Sequence, residues 1–219
     1  MANPWFTQLG PLSPLTTNGI ATAQAPAQAT NLTLSGSLVS GGVATLDNPR
    51  RVAITTTSNE TARTFTIYGT NRTKQNISEA IKGTNGSAVY TSNDFKTVTQ
   101  ISVDAATSGN VEAGTNGVAS TPWFNADYHT TPLNLGVSVV VSGTITYNVE
   151  YTYEDLNNPV NGVFPALWVN AIMSNKTTNL DATNTFSFPV TALRLTQTTN
   201  TTSSYATITV LQAGLGFGN

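Results

Sequence analysis

The sequence predicts an all-β protein, an antiparallel β-sandwich of jelly-roll or immunoglobulin-like type, and three observations carry that prediction. Apolar and polar residues alternate with a period of two in many short runs, the pattern of strands with one buried face. Turn-forming pairs such as Gly41-Gly42, Asn85-Gly86 and Asn161-Gly162 punctuate those runs. No apolar period of a helix extends beyond the length of a short one.

The first 30 residues hold Pro4, Pro11, Pro14 and Pro26 and the run TNGIATAQAPAQAT, which has neither a helical nor a strand period. They predict an extended, proline-rich N-terminal arm. Trp5, Phe6, Leu9, Leu12 and Leu15 are too apolar for an idle tail, so the arm is expected to lie on the body or on a neighbouring subunit. Strand signals begin at Asn31 with NLTLSG and continue through Val43 to Leu46 after the glycine pair. Arg51 to Thr55 and Thr64 to Tyr68 then read as a hairpin around the polar turn Ser58-Asn59-Glu60. Ser78 to Lys82 fits either one helical turn or a short strand, and Ala88 to Tyr90 and Phe95 to Val103 read as strands. Asn116-Gly117 predicts a reversal after Val111, and residues 121–135, with Trp123, Phe124 and Tyr128, read as a partly buried linker.

The clearest stretch follows. Val137, Val139 and Val141 alternate with polar residues, Ser142-Gly143 offers a tight reversal, and Ile145, Tyr147, Val149, Tyr151 and Tyr153 alternate with Thr144, Thr146, Asn148, Glu150 and Thr152. A β-hairpin is the simplest reading, with Thr146 and Asn148 on a flat hydroxylated face that is a candidate contact surface. Phe186 to Leu195 and Tyr205 to Leu211 supply further strands. Phe95-Lys-Thr-Val98-Thr99 can be laid against Phe188-Pro-Val190-Thr191, each downstream of a hairpin, which suggests either two duplicated sandwich units or one continuous sandwich with interleaved strands. The corresponding boundaries are an arm at 1–30, a first unit at 31–120, a linker at 121–135 and a second unit at 136–219.

Composition narrows the function. Charged residues are only 9%, with nine basic and eleven acidic side chains and no basic stripe, so nucleic acid is not an expected partner. No apolar stretch approaches a membrane span, and the N-terminus lacks the pattern of a secretory signal. There is no cysteine and one histidine, His129, which cannot build a metal cage alone. No nucleophile elbow, phosphate loop or dinucleotide motif occurs, so no enzyme activity, cofactor or metal is expected. Glu150, Glu154, Asp155 and Asp127 are the candidate carboxylates for glycoside chemistry, and read more simply as solubilising charges at a sheet edge. Trp123, Phe124 and Tyr128 beside Asn and Asp would also suit stacking on a sugar.

The segments RRVAITTTSNETARTFTIYGTN with FKTVTQISVDAATSGNVEAGTN, and LNLGVSVVVSGTITYNVEYTYEDL with FPVTALRLTQTTNTTSSYATITVLQAG, resemble small β-rich structural proteins of tailed bacteriophages. The resemblance covers most of residues 50–219. It implies a virion protein without an active site, assembled in the bacterial host cytoplasm as a homo-oligomer. Its partners would be other virion proteins: the major capsid protein for a decoration or cement role, neck or tail proteins for an accessory role. A receptor- or glycan-binding adhesin is the alternative from another class.

Overall fold

The fold comes from a computed structural model that describes residues 4–127, 134–154, 156, 170–180, 185–186, 189–200 and 203–213. Among them there is no helix, and all strand pairings are antiparallel. The chain forms two compact units, one from Met1–Leu12 with Ser120–Asn219 and one from Ser13–Ala119. In chain order the strands are β1 (Trp5–Leu9), β2 (Thr16–Gln24), β3 (Thr30–Asn31), β4 (Val39–Ser40), β5 (Val43–Thr56) and β6 (Thr64–Thr70). Then come β7 (Asn76–Lys82), β8 (Ala88–Tyr90), β9 (Phe95–Val103), β10 (Val111–Ser120) and β11 (Phe124–Asn125). Last are β12 (Asn134–Ser142), β13 (Ile145–Thr152), β14 (Asn170–Lys176), β15 (Thr185–Phe186), β16 (Ala192–Asn200) and β17 (Tyr205–Ala213).

In the Ser13–Ala119 unit the strands run β10-β5-β9-β6-β7, with β2 on β10, β4 and β8 on β5, and β3 on β9. Phe65 and Ile67 of β6, Ile101 and Val98 of β9, and Ile54 of β5 are wholly buried. Each is worth about 1.5–3 kcal/mol when removed from water, and a one-residue slip would turn a strand's whole set outward, so the alternation sets the register. The expected hairpin of Arg51–Thr55 with Thr64–Tyr68 does not form: β6 pairs with β7 and β9, and β5 with β10, β9, β8 and β4. Nor are Val43–Leu46 and Arg51–Thr55 separate strands, because β5 runs 14 residues through Asp47-Asn48-Pro49. Its pairing with β9 jumps there, from Thr45↔Thr97 to Arg50↔Phe95, so this polar stretch is a bulge within one strand. Arg50, wholly buried at the bulge, donates from its Nη2 to Asp47 Oδ2 and to the Ser13 carbonyl, both at 2.7 Å. Asn116-Gly117 is likewise a bulge and not a reversal, since Thr115↔Val52 is followed on the same strand by Ala119↔Arg50. Ser78–Lys82 lies in β7 and is strand.

Within residues 1–30, β1 and β2 are strands of the two units. β1 pairs along its length with β17, from Trp5↔Val210 to Leu9↔Ala206. β2 pairs with β10 in a register broken between Ala21 and Thr16, and its buried residues Gly19, Ile20 and Ala21 are consecutive, which hides the period of two. Gly114 allows this approach, because a Cβ there would overlap the Thr16 carbonyl.

The other unit is a sandwich of two sheets. One has the order β1-β17-β12-β15, and in the second β16 lies between β13 and β11, with β14 on the far edge of β13. Leu9, Val137, Val139, Ile208 and Val210 supply buried side chains from the first sheet, and Tyr147, Val149, Leu193 and Leu195 from the second. The Val137–Tyr153 stretch is therefore not a hairpin. β12 pairs with β17 and β15, β13 with β16 and β14, and Gly143, at φ 77°, carries the chain from one sheet to the other. A hairpin and such an arch share one local pattern, because both leave the apolar faces of consecutive strands turned to a common core. The two halves pair their strands differently, so the stretches that looked like matching hairpins are not built as copies.

Candidate functional site

The predicted contact residues scatter. Leu9 and Leu12 are buried, Trp5 is half-buried with its ring 5.5 Å from that of Phe124, and Phe6 and Leu15 are exposed. Phe124 and Asn125 form β11, which pairs with β16, and the Thr121 and Ala126 N–H groups donate to the Leu195 and Thr191 carbonyls, so the described part of the expected linker is tied along β16. The segment is also clamped by Gln212, whose amide donates to the Asp127 carbonyl and accepts from its N–H. The Arg194 guanidinium sits 4.5 Å over the Trp123 ring, so one face of that expected sugar-stacking ring is already covered. Tyr128, with His129, lies outside the described residues. Thr146 and Asn148 are half-buried, the second accepting a hydrogen bond from the Asn175 N–H at 2.8 Å.

The face that carries Thr146 and Asn148 continues into a buried polar cluster. Glu150 Oε2 accepts from Arg194 Nε at 2.9 Å and from the Thr196 hydroxyl at 2.7 Å, and the Thr196 and Ser120 hydroxyls are 3.0 Å apart. Glu150 and Arg194 are each 8% exposed, so Glu150 is a buried ion-pair partner and not a solubilising charge. The position is forced: β13 has neighbours on both sides, and the register sets Glu150 directly opposite Arg194. The signal was present in the lone arginine of the apolar run Val190–Leu195, since a buried charge needs a partner. On the same strand, Tyr147 donates its hydroxyl to the Thr178 carbonyl at 2.8 Å, and burial pushes the phenol above its ordinary range. Among the described residues no three His, Asp or Glu side chains gather as metal ligands.

Among the described residues, two sheet faces lie open. On the β1-β17-β12 sheet, Phe6 of β1, Thr207, Thr209 and Leu211 of β17, and Ser138 and Val140 of β12 alternate with the core residues and so share the outer side. Phe6 is 72% exposed, with Val140 and Leu211 also largely exposed, and none of these six is charged. On the other unit the outer side of β9-β6-β7 carries Tyr68, 38% exposed, with Ser78 and Gln100 opposite it on the flanking strands. Neither face was foreseen, because the sheet partner of each strand decides which side meets water. No family model, curated protein or solved structure matches the chain.

Proposed function

We propose that the chain is a non-enzymatic structural protein of a tailed-bacteriophage virion, a capsid decoration protein that docks across capsid subunits and holds the head together. The observation that supports this reading is the uncharged outer face of β1-β17-β12 with Phe6 at its edge strand. A face without charges gives up little hydration on docking, and an exposed aromatic is the side chain best suited to anchor a contact. The likeness of the two strand blocks to phage structural proteins supplies the setting. A neck or tail accessory protein would use the same surface at a different address.

Co-sedimentation with capsids tests the reading. The wild-type protein is expected to pellet with the particles and raise the temperature at which they open. Phe6→Lys is expected to fold, as read by tryptophan fluorescence, and to stay in the supernatant. A wild-type protein that neither pellets nor changes particle stability would end the decoration reading, and immunogold labelling confined to the neck or tail would replace it with the accessory role.

A further inference from the structure

We propose that the outer face of β9-β6-β7 is a binding site for neutral glycans, with Tyr68 as the stacking platform. The register places Tyr68 between Ser78 of β7 and Gln100 of β9, and in the next row Thr66 between Ala80 and Ser102. A single aromatic ring thus stands on a flat floor of hydroxyls, an amide and one methyl. β6 is held on both sides, so the ring rests on rigid backbone, and a tyrosine on such a support loses little freedom when it is covered.

Polar groups beside the ring are already oriented. Gln100 Nε2 donates to Asn31 Oδ1 at 3.0 Å, which fixes both amides. No described residue bonds the remaining halves, the Gln100 Oε1 acceptor and the Asn31 Nδ2 donors. An acceptor and a donor side by side match the neighbouring hydroxyls of a pyranose, each of which both gives and takes a hydrogen bond. The Thr99 hydroxyl, turned to the Tyr68 carbonyl at 3.3 Å, holds the adjoining bulge in β9.

Charge selects the ligand class. Around Tyr68 the six residues of the two rows are uncharged, and Lys82 lies at the far end of β7, bonded to the Thr64 hydroxyl at 2.8 Å. An anionic sugar or a nucleic acid would find no cluster of cations here, whereas a neutral hexose needs only the C–H face against the ring and the amides at its rim. A protein partner would want more buried apolar area than one ring and one alanine provide. The site is in the Ser13–Ala119 unit and does not depend on the docking face of the other unit, so the two proposals fail separately.

Saturation-transfer NMR and calorimetry with neutral oligosaccharides ending in glucose, galactose, mannose or N-acetylglucosamine test the proposal. At least one is expected to bind the full chain. Tyr68→Ala is expected to weaken it by at least about tenfold, as loss of a stacking ring predicts, while Tyr68→Phe retains most of it. Gln100→Ala is expected to weaken it less, and Tyr90→Ala, at an exposed tyrosine on another strand, to leave it unchanged. Circular dichroism of each variant guards against unfolding. Absence of binding by all four sugar classes at millimolar concentration, binding indifferent to Tyr68→Ala, or preference for sialylated or sulfated glycans would each overturn the proposal.

Discussion

Replacing one member of the Glu150–Arg194 pair should destabilise its unit far more than replacing both. Each side chain is 10% exposed, and the carboxylate takes two hydrogen bonds on one oxygen. Glu150→Leu leaves a buried guanidinium without its carboxylate, and Arg194→Met leaves a buried carboxylate without its cation; each should cost about 3–5 kcal/mol. In the double variant no charge is stranded. The losses include one hydroxyl hydrogen bond, about 1 kcal/mol, and the stacking of cation on ring, about 0.5–2 kcal/mol. The double variant should therefore be more stable than either single one, with a coupling of several kcal/mol. Trp5, Trp123 and Trp168 all belong to the unit that contains the pair, so urea unfolding followed by tryptophan emission reports on that unit alone. Additive losses, or single variants that cost less than about 1 kcal/mol, would refute the argument and identify the pair as solvated.

Two further outcomes follow from individual polar groups. The Asp47 carboxyl is pushed up by partial burial, but hydrogen bonds from the Ser13 N–H, the Arg50 guanidinium and the Asn48 N–H, with the Arg50 charge, outweigh this and hold it below its ordinary value of 3.8. Its contribution is then fully present above that value and lost as pH falls through the lower folded value. The Ser13–Ala119 unit should lose stability in that acid range, and Asp47→Asn should remove that part of the pH dependence, as monitored by far-ultraviolet circular dichroism against pH. Gln197 is wholly buried with neither amide atom hydrogen-bonded, so Gln197→Met, of similar shape, should stabilise its unit by about 1–2 kcal/mol. A raised urea midpoint with unchanged slope would confirm it, and a loss would mean that the amide has a partner such as a bound water.

The strands were legible wherever one face is buried and the register is regular. Ile145, Tyr147 and Val149 alternate because β13 packs one side on a core, and so do Phe65 and Ile67. Strands were misread where a bulge breaks the period: β2 buries three residues in a row, and β5 crosses Asp47-Asn48-Pro49 without ending. Of the candidate site residues, Trp123 and Phe124 stand out in the sequence as aromatics, but nothing there shows that Arg194 lies over the first ring and Trp5 beside the second, while Tyr68 reads there only as the end of a strand.

The sequence by itself determined that this protein is built of antiparallel strands, because a period of two is a local property of the chain and each inward apolar side chain favours it separately. Only the tertiary structure decided which strands are neighbours. Pairing joins residues as distant as Trp5 and Val210, and no local pattern encodes a partner two hundred residues away. From that pairing come the arch where a hairpin was expected, the burial of Glu150 against Arg194, and the two sheet faces left open to water.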